Sequence, residues 1–123
     1  MRSHTIVVAL VGLLVARPVV AQAASVIIPD TAAYKVVGQT VTIEGRVAQV
    51  KDRAHHGYAY LNFNAPYPGH SFSVWIPDSV AAKFGDLTRW EGKRLRATGL
   101  VWLQNNEWPA MTIVDPTKLE GAP

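Results

Sequence analysis

The sequence contains no cysteine. Disulfide cross-links, thiolate metal sites and a lipidated cysteine behind the N-terminal apolar segment are therefore excluded, and the fold must be held by an apolar core. A membrane span is missing as well: the apolar run Ile6 to Ala16 stops after eleven residues at Arg17 and Pro18, against the roughly 20 that a spanning helix needs. Nor are the acids concentrated. Glu44, Asp52, Asp78, Asp86, Glu91, Glu107 and Asp115 are scattered along the chain, whereas metal-assisted phosphoryl chemistry needs several carboxylates converging on one ion. Ser71 and Ser73 sit in an alternating strand rather than on a nucleophile elbow, and no His and acid can be assigned to either. His55, His56 and His70 invite a metal reading, but adjacent side chains on an extended segment diverge and only Asp52 lies near them. The expectation is a protein that is not an enzyme and that carries neither cofactor nor metal.

What the N-terminus does contain is a basic start (Arg2, His4), the short apolar run, and small residues at Val19, Ala21 and Ala23. Together these are the three parts of a secretory signal peptide. The expected organisation is a cleaved signal over 1–23, a leader over 24–37 with Pro29-Asp30 as a breaker, one domain over 38–116 and a tail over 117–123. The expected location is periplasmic or secreted, with no membrane anchor after cleavage. Cleavage also changes the charge: 12 Lys+Arg against 9 Asp+Glu become 10 against 9 once Arg2 and Arg17 leave. The apparent basicity then supports only a local basic patch, not nucleic-acid binding by net charge.

From Gly38 onward apolar and polar residues alternate with the period of two that half-buried strands produce. Val41, Ile43, Gly45 and Val47 define a long first strand reaching Val50, with Gly45 at an expected bend or bulge. The polar loop Lys51 to Gly57 follows. Ala59, Leu61 and Phe63 then face inward with Tyr58, Tyr60 and Asn62 outward, and Phe72, Val74 and Ile76 face inward with Ser71, Ser73 and Trp75 outward. A Pro/Gly connection joins these two strands. Asp78 is the expected cap of a short helix that puts Val80, Phe84 and Leu87 on one side, with Gly85 ending the regular turn.

Gly92 to Asp115 is a second hairpin. Leu95, Ala97, Gly99, Val101 and Leu103 share one face of its first strand, with Met111 and Ile113 inward on its second. A two-residue turn would put Met111 outside; a three-residue loop at Asn105-Asn106-Glu107 pairs Val101 with Met111, so parity favours the odd loop. The outward set is then Arg94, Arg96, Leu100, Trp102, Gln104, Trp108, Ala110 and Thr112. The order β-β-β-α-β-β, all-β with one short helix and a long bent first strand, is that of the OB-fold, a small five-stranded, partly open barrel.

Gly38 to Val47, Tyr60-Leu61-Asn62-Phe63 with Tyr67-Pro68, Phe72 to Ile76, Phe84 with Leu87, and Glu91 to Gly99 together resemble small exported bacterial OB-fold proteins, over residues 38 to 114. The resemblance implies a module of the nucleic-acid-binding kind. The chain departs from that pattern at Leu100 and Trp102, outward positions where such modules often carry polar residues or Lys.

OB-folds bind across the second and third strands, rimmed by the loops between strands one and two and between strands four and five. The expected ligand face is therefore Tyr58, Tyr60, Asn62, Ser73 and Trp75, with Arg46, Lys51 and Arg53 to hold a phosphate backbone. Flat aromatics suit bases and sugars, at about 1 to 3 kcal/mol per stacked base. The same aromatics also pair across strands to stabilise a small sheet. Leu100, Trp102 and Trp108 form a candidate second patch. Lys93, Arg94 and Arg96 are a possible phosphate cluster that equally fits a solvated strand face. The partner classes these residues allow are single-stranded nucleic acid or nucleotide, an oligosaccharide, or an envelope protein. For the exported form the expected cleavage is after Ala23, with Ala21 and Ala24 as near competitors, and intact-mass measurement of the secreted protein checks it; retention of residues 1–23 would contradict the signal reading.

Overall fold

The computed structural model describes residues 26–52 and 57–123. The expected signal peptide, residues 1–23, and Arg53, His55 and His56 lie outside the described residues. The described residues form seven strands: β1 (Ile27–Pro29), β2 (Thr40–Lys51), β3 (Tyr58–Phe63), β4 (Phe72–Pro77), β5 (Arg94–Gln104), β6 (Trp108–Thr112) and β7 (Leu119–Gly121). Five of them close a barrel in the order β2-β3-β4-β6-β5 and back to β2. All the neighbours are antiparallel except β4 and β6, whose parallel pairing through Val74 and Met111 completes the circuit. This is the OB-fold topology, closed rather than partly open. β1 lies parallel to the first half of β2, and β7 antiparallel to β5, so leader and tail each add an edge strand.

Alternation accounts for the core. Ala59, Leu61, Phe63, Phe72, Val74 and Ile76 are fully buried, as are Ile43, Val47, Leu95, Ala97 and Met111. Phe63 and Phe72 meet edge to face at 5.2 Å between ring centroids. The second hairpin has the three-residue loop that parity requires: Val101 pairs with Met111 and Gln104 with Trp108, leaving Asn105 and Asn106 in the left-handed region. Ala110, outward by this parity, is nevertheless buried.

Two local expectations are corrected. The segment after β4 is one helical turn, α1 (Asp78–Ala81), and two 3-10 turns, Ala82–Phe84 and Leu87–Trp90. Phe84 and Leu87 are buried as the spacing requires. Pro77, not Asp78, stands at the cap position of α1, and no side chain caps it. The capping carboxylate is Asp86, which accepts from the Thr88 backbone N–H at 3.0 Å, because Gly85 at φ 71° breaks the helix and starts a new turn.

The second correction concerns Gly45. The register of β2 against β3 shifts between Val47 and Gln49, so the bulged residue is Ala48. Gly45 is glycine for another reason: a Cβ there would lie 2.4 Å from Asp30 Oδ1 and 2.9 Å from Asp30 Cβ. Asp30 opens the leader's 3-10 turn (Asp30–Val36) and accepts a short hydrogen bond from Ser71 Oγ. That turn packs Ala33 into the core. The expected cost of Gly45→Ala is about 1 to 3 kcal/mol, as for overpacking elsewhere. Urea unfolding of Gly45→Ala, Asp30→Gly and the double variant checks it: the double variant should be less destabilised than the sum, and strict additivity would contradict the contact.

Candidate functional site

The bulge at Ala48 decides which side chains of β2 reach the outer face beside β3. Before it, Thr40, Glu44 and Arg46 are outward; one extra residue reverses the alternation, so Gln49 and Lys51 become outward and Val50 turns inward. Pairing then lays two rows across the sheet. Gln49 stands opposite Asn62, and Asn62 opposite Ser73. In the next row Lys51 is opposite Tyr60, Tyr60 opposite Trp75, and Trp75 opposite Thr112.

The second row and its neighbours make an aromatic wall. Trp75 is its centre, meeting Tyr60 at 4.8 Å, Tyr58 at 5.1 Å and Trp102 at 5.1 Å, each edge to face. Trp102 Nε1 donates to Thr112 Oγ1 at 3.1 Å, which fixes its ring. Facing it, the β3–β4 loop and the start of β6 build a second wall. His70 stacks on Trp108 with 15° between planes and centroids 5.8 Å apart, and Tyr67 lies 5.6 Å from His70 and 5.7 Å from Trp108. Trp108 Nε1 donates to the Pro68 carbonyl at 3.3 Å, tying β6 to the loop.

Between the walls is an open cleft of about 320 Å³, lined by Lys51, Tyr60, Asn62, Tyr67, His70, Ser73, Trp75 and Gln104. Its floor is the first row. Asn62 Nδ2 donates to Gln49 Oε1 at 2.8 Å, Tyr67 N–H donates to the same oxygen at 3.0 Å, and Ser73 Oγ donates to Asn62 Oδ1 at 2.9 Å. Among the described residues lining the cleft, Lys51 is the one lysine or arginine. Burial, with smaller contributions from Tyr58 and Asp78, pushes the Tyr60 phenol up from its ordinary value, so it stays neutral. Burial holds the His70 imidazole below its ordinary range, and its Nδ1 is buried without a partner among the described residues.

Of the residues expected at the site, Tyr60, Asn62, Ser73, Trp75 and Lys51 line the cleft, and Tyr58 supports Trp75 from behind. Arg46 does not line it: it lies before the bulge, pairs with Arg94 across β5, and donates from Nε to the Gly92 carbonyl at 3.3 Å. Leu100, Trp102 and Trp108 have different neighbours. The two indoles belong to opposite walls, while Leu100 stands opposite Thr40, 53% exposed. The phosphate cluster is also revised, since Glu44 accepts from Arg96 at 2.6 Å and Arg94 at 3.0 Å. These two arginines, Arg96 foremost, hold the Glu44 carboxyl below its usual range.

Residues not expected there are Gln49, Tyr67, His70 and Gln104. The spacing of Val47 and Val50, three instead of two, is the signal that would have revealed the bulge and with it Gln49. Among the described residues no group of three His, Cys, Asp or Glu is gathered to hold a metal, and no helix is long and apolar enough to cross a membrane.

No protein-family model matches the sequence, and no curated protein matches it. Solved structures of the same architecture include a crystal structure of an aspartyl-tRNA synthetase from Leishmania major Friedlin, with a TM-score of 0.55 at 12% identity over 80% of this chain and 21% of that one. At that identity the likeness is one of fold. This chain spans about a fifth of the synthetase chain.

The buried imidazole yields a pH prediction. Because burial lowers the folded pKa of His70, the unfolded chain binds the proton more readily, and stability rises with pH through this window. The contribution is present above the ordinary value of about 6.5 and is lost as pH falls below it toward the lowered folded value. Urea midpoints should therefore fall between pH 7.5 and 5.5 in the native protein and fall less in His70→Phe. An equal fall in both would contradict a buried, neutral His70.

Proposed function

We propose that this barrel is an exported, non-enzymatic binding module that holds single-stranded nucleic acid, with a base inserted between the two aromatic walls. The observation that carries the reading is the cleft itself: Tyr60 and Trp75 on one side, Tyr67 and His70 on the other, over an amide and hydroxyl floor. An aromatic ring from either side can lie against a face of a heterocycle, and stacking tolerates any base. Lys51 at the end of the wall supplies a phosphate contact, continued in the chain by Arg53. The position is also where OB-folds bind, across the second and third barrel strands.

The absence of catalysis in this reading is supported by what the acids do. Glu44 is occupied by Arg94 and Arg96, Asp30 by Ser71, Asp86 by Thr88 and Asp115 by Thr117. None of these four carboxylates lines the cleft.

Titrating the tryptophan fluorescence with single-stranded oligonucleotides and, in parallel, with cell-wall glycans tests the proposal. Oligonucleotides should saturate the signal, with an affinity that declines only gently with salt because few cations line the cleft. Tyr60→Ala and Tyr67→Ala should each weaken binding by about 1 to 3 kcal/mol. Saturation by glycans with no response to oligonucleotides would move the ligand class to oligosaccharides and overturn the nucleic-acid reading.

A further inference from the structure

We infer that the floor of the cleft is set to read the edge of guanine. The inference rests on the proposed use of the cleft as a base site and adds which base it prefers.

A backbone amide can only donate. Tyr67 N–H points at the Gln49 side chain at 3.0 Å, so the atom it meets is the amide oxygen and not the nitrogen. That oxygen also lies 2.8 Å from the Asn62 amide, which must present its nitrogen there. The Asn62 oxygen is consequently turned to Ser73, whose hydroxyl hydrogen is spent on it at 2.9 Å. One main-chain donor thereby sets the direction of three successive side chains, free of the usual O/N ambiguity of amides.

What is left over for a ligand has a fixed order. From the β2 side to the β4 side it is the second Asn62 N–H, a donor; the second lone pair of Asn62 Oδ1, an acceptor; and the lone pairs of Ser73 Oγ, an acceptor only. Asn62 and Ser73 are 4% and 2% exposed yet both line the cleft. At such buried positions a ligand group that fails to match leaves a polar atom unpaired, and mismatch is costly.

The complement of donor, acceptor, acceptor is acceptor, donor, donor. Guanine presents that order on its pairing edge as O6, N1–H and the 2-amino group. Thymine and uracil place a second carbonyl against the Ser73 lone pairs. Cytosine places ring N3 against Asn62 Oδ1. Adenine has one amino nitrogen to serve both acceptors. The walls are the same for all four, so the discrimination resides in Asn62 and Ser73, with Gln49 and the Tyr67 backbone as their positioning groups.

The experiment uses short strands in which a single base stands among abasic positions, titrated against the tryptophan fluorescence of the whole protein. Guanine should bind tightest. Inosine, which lacks only the 2-amino group, should bind about fivefold more weakly, the loss of one net hydrogen bond. Ser73→Ala should reduce guanine to the inosine level and leave inosine unchanged. Comparing guanine with inosine on the native protein gives the same answer without any variant that could misfold. Equal affinity for all four bases, still dependent on Tyr60, would overturn the edge reading while sparing the base site. No advantage of any base over a wholly abasic strand would overturn both.

Discussion

Strand β2 has to serve two partners, and the site depends on how it does so. Its first half pairs with β5 and its second half with β3, so a single run of twelve residues links the two sides of the barrel. A continuous alternation would keep Gln49 facing the core and leave the outer face of β3 without a neighbour able to bond Asn62. The extra residue at Ala48 reverses the alternation in mid-strand. It gives Val47 and Val50 to the interior side and Gln49 and Lys51 to the cleft. Gly45, three residues earlier, lets the leader's Asp30 approach the strand where a Cβ would forbid it. The strand is thus tied to the leader by a carboxylate that also bonds Ser71, next to β4.

From that strand the cleft follows by registry. Neighbouring strands place Gln49, Asn62 and Ser73 side by side, and the next row out places Lys51, Tyr60 and Trp75 side by side. Strands fix these groups more tightly than loops can. The opposite wall is looser in origin, built from Tyr67 and His70 in the β3–β4 loop and from Trp108, but it is pinned at two points. The Tyr67 backbone bonds to Gln49, and the Trp108 indole bonds to the Pro68 carbonyl. The result is a neutral, aromatic site with one lysine at its edge. The chain's formal positive charge lies largely elsewhere, some of it compensated by Glu44.

Much of the barrel was legible from alternation alone. The inward faces of β3 and β4 and the three-residue loop after Gln104 follow from the period of two, whereas Phe84 and Leu87 are buried as expected but from two separate 3-10 turns rather than one helix face. One wall of the site was legible for the same reason, since Tyr58, Tyr60 and Trp75 are strand residues whose direction is set by parity. The other wall was not, because Tyr67 and His70 owe their positions to a loop path that no periodicity encodes. Arg46 was misplaced by carrying the outward parity of β2 to the cleft without the bulge. The Leu100, Trp102 and Trp108 group was read as one surface because neighbouring positions in a hairpin look contiguous, whereas the two indoles turn to different aromatic partners.

The measurement closest to the central claim is NMR titration of the folded protein with a short single-stranded oligonucleotide, following the side-chain amides of Gln49 and Asn62 and the indole N–H of Trp75. A base seated between the walls predicts that these signals shift together and saturate together, while resonances of Arg94 and Arg96 on the Glu44 face stay in place. Shifts confined to the Glu44 face, with the cleft amides unmoved at saturation, would contradict it.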